Sequence, residues 1–384
     1  MNPAIFGLFF VSGACGLIYQ VVWTRMMTHV FGTTVFAVST VLAAFMTGLA
    51  LGSYYLGKRG SRSQSPLKRY AVYEFGIGGA ALLVLLLLDN ITPFHLWMSA
   101  TFGGSPVLFS TVRFVVVFLL ILVPTTLMGA TLPILSQFVL RRPEKIGRML
   151  GSLYATNTLG AVAGCLLTGF VLIGSIGIHN SVYLAAALNI AVGAVSWSLA
   201  GRKAGETPVP EAGTDSKETG AGEVAGVRLE PVEKRVRSLL LAGFAFSGLT
   251  SFAYEVLWAR ALVFVVGNST YAFTIMLTTF LVGIAAGGYL VRFFIDRLRD
   301  PLRFFAWMQV AIGVSAAVAM PLLGAVMRNP SAAGWFGDAE VGWGSVLAMR
   351  FTASFLVMLI PTLLIGMTFP LAGRILVRNL AQSG

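Results

Sequence analysis

Four ionisable side chains stand inside long apolar runs of this sequence: Arg25, Glu74, Glu255 and Arg260. A charge held in hydrocarbon is costly, so such groups are normally paired or placed on a functional path. Two amides, Gln20 and Gln309, belong with them for a reason given below. Charge alone predicts that Glu74 partners Arg25 and that Glu255 partners Arg260. Two kinds of chemistry fit this set. One is a structural lock between helices, because a buried Arg needs a carboxylate and further hydrogen bonds to offset desolvation. The other is a proton- or cation-linked site.

Further polar or backbone-freeing residues mark a second candidate group. Pro124 and Pro133 flank Gly129, and Pro361 and Pro370 flank Gly366. Proline removes an intrahelical donor, so each trio predicts a bent or interrupted helix that serves as a kink or lines a cavity. Thr125, Thr126 and Thr131 are placed to re-satisfy freed carbonyls. Asn157 and Thr158 stand in a Gly-rich run, suited to interhelical hydrogen bonds or to binding. The pairs Gly48/Gly52, Gly160/Gly164 and Gly283/Gly287 read as close helix contacts. His29, His95 and His179 show no metal-ligand spacing, and Cys15 and Cys165 read as small packing residues. No catalytic residue, metal or cofactor is expected from these patterns.

The elements that must position these groups follow from composition. Of 384 residues, 57% are hydrophobic and only 11% charged, against roughly 25% charged in soluble domains. That excludes a soluble globular protein. Ten stretches are long and apolar enough to span a bilayer: 4–29, 32–57, 69–90, 108–140, 149–175, 178–200, 238–265, 269–292, 303–327 and 345–375. They are too continuous for barrel strands, so the expected class is an all-α integral membrane fold. Trp23, Trp97 and Trp258 are expected as interfacial anchors. The run 91–107 is expected to be a loop.

The net charge of +12 reads as topology: 22 of the 27 Lys and Arg lie in 58–69, 141–148, 201–237, 292–303 and 374–378, all on one side of a ten-span chain. The positive-inside rule makes that side, and both termini, cytoplasmic, in a bacterial inner membrane. The first span has no basic leader and reads as retained. No domain is present to carry a nucleic-acid patch, so the expected partner is the lipid bilayer.

Residues 201–237 mix seven basic and seven acidic residues with Gly and Pro, and predict a flexible linker. It separates a first repeat, 1–200, from a second, 238–384. A shift of 235 brings Ser12-Gly13, Tyr19, Trp23, Arg25, Gly48, Gly52 and Pro66 onto Ser247-Gly248, Tyr254, Trp258, Arg260, Gly283, Gly287 and Pro301. Two further inserted residues bring Arg113, Pro124, Gly129 and Pro133 onto Arg350, Pro361, Gly366 and Pro370. Gln20 falls on Glu255 and Glu74 on Gln309, so the acid and amide exchange places between halves. Both halves start on the same side, which makes the repeats parallel, as in major-facilitator transporters. The first has six spans and the second four, with nothing matching Tyr154 to Gly169. Another membrane or soluble subunit is therefore expected to cover the incomplete second repeat.

Phe10-Val11-Ser12-Gly13-Ala14, Tyr19-Gln20-Val21-Val22-Trp23-Thr24-Arg25, Phe45-Met46-Thr47-Gly48-Leu49-Ala50-Leu51-Gly52-Ser53 and Asn157-Thr158-Leu159-Gly160 resemble the membrane region of membrane-bound spermidine synthase-like proteins. That resemblance implies a transporter-like membrane part joined to a polyamine aminopropyltransferase domain, with a decarboxylated S-adenosylmethionine donor and a polyamine acceptor. The sequence departs from the pattern: it holds no Gly-rich strand–turn–helix unit for such a donor. Three functions follow as expectations. The chain is a non-catalytic membrane anchor or complex subunit, a secondary transporter of a small cation such as a polyamine, or the membrane half of a split aminopropyltransferase.

Overall fold

The computed structural model describes residues 3–31, 34–57, 65–102, 105–139, 146–203, 234–266, 269–291, 293–295, 298–328 and 343–381. Among them there is no strand; ten helices are long and apolar enough to cross a membrane. In order, with the short α4 set among them, the helices are α1 (Pro3–Phe31), α2 (Thr34–Leu51), α3 (Pro66–Asp89), α4 (Ile91–Phe102), α5 (Pro106–Val139), α6 (Ile146–Leu167), α7 (Gly177–Lys203), α8 (Lys234–Val266), α9 (Ser269–Val291), α10 (Pro301–Arg328) and α11 (Trp343–Ala381). The expected loop at 91–107 thus contains α4, whose 12 residues are too short to span a bilayer. The expected linker lies mostly outside the described residues, at 204–233.

Two π turns prolong their helices without breaking them: Gly52–Leu56 after α2 and Thr168–Leu172 after α6. In the first, the Gly57 amide donates to the Gly52 carbonyl, five residues back. The expected interruptions at proline are absent. Helix α5 runs through Pro124 and Pro133, and α11 through Pro361 and Pro370. Threonines next to two of the prolines bond back to carbonyls of the preceding turn. The Thr125 hydroxyl donates to the Ile121 and Leu122 carbonyls at 2.8 and 3.1 Å, and Thr126 to Leu122 at 2.6 Å. Thr362 does the same toward Met358 and Leu359 at 3.0 and 2.9 Å.

The chain forms two compact units. The first comprises Met1–Glu206 with Asn268–Thr274; the second comprises Thr207–Gly267 with Ile275–Gly384. In the first, α1 packs on α6 and α7, α3 on α5 and α7, and α2 on α5. Its core holds Tyr19, Trp23, Phe45, Ile77, Leu85 and Ile121, continued by Phe9, Tyr70, Ile134 and Leu153. In the second, α10 packs on α11, with Leu240, Phe305, Met308, Leu371 and Ile375 between.

Small residues let these helices approach, as packing in lipid requires. A Cβ at Gly48 would collide with Thr125, and one at Gly129 with the Leu49 backbone. The second unit repeats both contacts, Gly283 against Thr362 and Gly366 against the Ile284 backbone. The aromatic core repeats as well. Tyr19 stacks on Trp23 at 5.2 Å and Tyr254 on Trp258 at 5.7 Å. Trp23 meets Phe45 at 6.4 Å and Trp258 meets Phe280 at 6.3 Å. Trp23 and Trp258 are therefore buried core residues rather than interfacial anchors; Trp97 is exposed.

Candidate functional site

Glu74 sits midway along α3 with no exposed surface. Three helices of the first unit converge on it. Ser12 of α1 donates its hydroxyl to Oε1 at 2.6 Å, and Asn189 of α7 donates Nδ2 to Oε2 at 2.6 Å. Tyr19 of α1 donates its hydroxyl to Asn189 Oδ1 at 2.8 Å. That last bond fixes the amide orientation, because an Asn whose oxygen accepts from Tyr19 must turn its NH2 toward Glu74. The Tyr70 hydroxyl, one helical turn before Glu74, faces the Ser12–Glu74 pair but meets hydrogen-bond geometry with neither.

The architecture explains why these groups meet. Gly13 follows Ser12, and a Cβ there would strike the Asn157 carbonyl of α6. Gly78 lies one turn beyond Glu74, and a Cβ there would stand 3.1 Å from the Ala186 carbonyl of α7. The glycines draw α1 toward α6 and α3 toward α7, and the short polar side chains then reach across. Each such bond contributes roughly 0.6 kcal/mol in a membrane. The chemical result is a carboxyl group held by neutral donors. Among the described residues no Lys or Arg bonds to it. Such a group can hold a proton or a cation, or it can fasten α1, α3 and α7 together.

The expected pairing of Glu74 with Arg25 is therefore not formed. Arg25 is half-buried on α1 and lines a cavity of about 20 Å³ with Thr24 and Thr28, room for about one water. Gln20 is buried, with its Nε2 unpartnered among the described residues. Glu255 on α8 is only 1% exposed, yet no hydrogen bond or ion pair among the described residues reaches it. Its expected partner Arg260 is exposed and lies over the Phe264 ring, 5.1 Å from the centroid. Like Gln20, Gln309 on α10 keeps a buried Nε2 without a partner among the described residues.

The other predicted residues fall into packing positions. Gly129 and Gly366 abut the backbones of neighbouring helices, so the space beside them is filled rather than a cavity. Pro124, Pro133, Pro361 and Pro370 lie within continuous helices. The Thr158 hydroxyl donates to the Tyr154 carbonyl at 2.9 Å, and Asn157 packs against Gly13. Cys15 and Cys165 are buried and free. Among the described residues no group of three His, Cys, Asp or Glu could hold a metal. His179 meets Asp89 at 2.9 Å, both well exposed, while the side chains of His29 and His95 lie outside the described residues.

Sequence reasoning missed Ser12 and Asn189 as partners of Glu74, and Tyr19 as the partner of Asn189. Asn189 carried a usable signal, being an amide in the middle of the apolar span 178–200. Arg113 was missed as an intramembrane charge. Its guanidinium donates to the Val30 carbonyl at 2.8 Å and lies between the Phe31 and Phe109 rings, at 4.8 and 5.1 Å.

This polar network in a multispan membrane chain stands beside a sequence relationship. The polyamine aminopropyltransferase 2 of Ralstonia nicotianae (strain ATCC BAA-1114 / GMI1000) is 24% identical over 196 residues, half of this chain and 34% of that protein. The polyamine aminopropyltransferase 2 of Streptomyces coelicolor (strain ATCC BAA-471 / A3(2) / M145) is 29% identical over 187 residues, 48% of this chain and 32% of that protein. The chain is a distant homologue of these proteins. The match spans about a third of the relatives' own length. No protein-family model matches the chain.

Proposed function

We propose that this chain is the non-catalytic membrane module of an aminopropyltransferase-type assembly, acting as its anchor or subunit. It sits in a bacterial inner membrane with both termini cytoplasmic, as two major-facilitator-like parallel repeats. One observation carries the reading. Gly13 is packed on the Asn157 backbone, but its counterpart Gly248 has nothing within 4 Å among the described residues; Gly78 lies against α7, but its counterpart Gly313 likewise has no described neighbour within 4 Å. Exposed apolar side chains beside them, such as Phe246 and Val314, are ordinary on a lipid-facing surface. What marks this face is that positions in close contact in the first unit stand open at their counterparts in the second. Helices outside residues 1–384, on whichever polypeptide supplies them, would occupy that face as α6 and α7 do in the first unit.

The test is purification from the native host in a mild detergent, with the mass read by light scattering. The expected result is an assembly in which a transferase-bearing polypeptide accompanies residues 1–384. A stable, monodisperse species of this chain's mass alone would overturn the reading. A second reading, transport of a small cation such as a polyamine, draws on Glu74, whose partners are all neutral. Reconstituted vesicles would then show gradient-driven polyamine uptake, lost in Glu74→Gln; no uptake would remove it.

A further inference from the structure

A groove of about 610 Å³ opens at the end of the first unit where α3 begins and α7 ends. It is lined by Leu56, Ser65, Lys68, Arg69, Val72, Tyr73 and Trp197. Among the described residues two cations and no carboxylate line it. Lys68 Nζ lies 5.8 Å from the centroid of the Trp197 ring, so an aromatic face from α7 steadies a cation from α3. Leu56, Val72 and the exposed Trp197 ring supply apolar wall on the membrane side. Tyr and Trp with Lys and Arg at a span end mark headgroup depth. The lining repels a polycation, so this is not where a polyamine would bind.

We propose that this groove binds the phosphodiester of an anionic membrane phospholipid, with Lys68 and Arg69 on the phosphate and Leu56, Val72 and Trp197 along the first part of the acyl chains. Neutral-headgroup lipids offer the same apolar contact without net negative charge. Free phosphate offers the charge without the apolar contact. Basic recesses between spans recognise lipid headgroups through this combination. The site owes nothing to the transferase relationship and stands or falls separately from it.

The test uses the full chain, delipidated in mild detergent. Thermal midpoints and native mass spectra are recorded with phosphatidylglycerol, with phosphatidylcholine and with inorganic phosphate alone. Phosphatidylglycerol is expected to raise the midpoint and leave a retained adduct, and the other two to do neither. The double variant Lys68→Gln/Arg69→Gln is expected to weaken phosphatidylglycerol binding by about tenfold or more. The variant Arg303→Gln, which removes an exposed charge on α10 outside the groove lining, leaves it unchanged. Equal binding of the two lipids, or an equal shift with inorganic phosphate, would overturn the lipid assignment in the native chain alone, even if a variant failed to fold. Unchanged phosphatidylglycerol binding by the Lys68/Arg69 variant would overturn the groove as its location.

Discussion

The two units place the same aromatic stack and the same glycine contacts around different polar groups. In the first, the α3 position holds a carboxylate, Glu74, reached by donors from α1 and α7. In the second, the matching α10 position holds an amide, Gln309, and the carboxylate stands instead on α8 as Glu255. The difference teaches what a buried acid needs. Glu74 takes a donor from Asn189 of α7, whereas among the described residues no side chain partners Gln309 Nε2. The position without such a partner carries a group of lower desolvation cost.

The largest expected effect separates the glycines. Gly13→Leu drives a side chain into the Asn157 backbone and is expected to destabilise the chain by about 3 kcal/mol or more, read as loss of folded yield and a lower thermal midpoint. Gly248→Leu in the isolated chain is expected to stay within about 0.5 kcal/mol. Equal damage from both would mean that the second face is covered and the contrast false.

Next comes the carboxylate. Asn189→Leu strips Glu74 Oε2 of its donor and is expected to cost about 2 kcal/mol. Adding Glu74→Leu should recover part of that loss, because no buried carboxylate is then short of a donor, although the Ser12 and Tyr19 hydroxyls lose their acceptors. A double-mutant cycle on reversible unfolding measures the coupling, and additive losses would show that Asn189 and Glu74 are independent.

Ser12→Ala removes one hydrogen bond and is expected to cost roughly 0.6 kcal/mol, while Ser247→Ala should cost less, since no described bond joins Ser247 to Gln309. Equal losses would place an unrecognised partner on Ser247. The smallest effect belongs to His179 and Asp89, an exposed pair within 2.9 Å. His179→Ala should change the midpoint by no more than about 0.5 kcal/mol allows.

Much of the fold was legible because hydropathy is a one-dimensional signal and lipid forces helices on it. All ten expected spans correspond to long helices in the structure. Glu74 was legible for the same reason, as a charge in an apolar run. Its partners were not, because charge matching ignores which face a residue occupies. Arg25 was chosen by sign, whereas Asn189 was supplied by helix packing 115 residues away. Trp23 and Trp258 misled in the same way: an indole in a span suggests an interface, but Tyr19 and Tyr254 stand four residues earlier, the spacing of a stacked pair on one helix face. The prolines do not interrupt their helices, which run on through them.

The π turn at Gly52–Leu56 acts as a length adjuster. Gly48, Gly52 and Gly57 all face α5, toward Thr125, Thr126 and Pro133 in turn. Their spacings are four and then five, and an α-helix would carry the fifth residue well around the cylinder. The wide turn absorbs the extra residue and returns Gly57 to the contact line. Helix α2 and its extension therefore tolerate a change of residue type at Tyr54 or Tyr55, both exposed, more readily than a change of residue number. Deleting one of them would keep the helix and its hydropathy while rotating everything beyond it off the seam with α5.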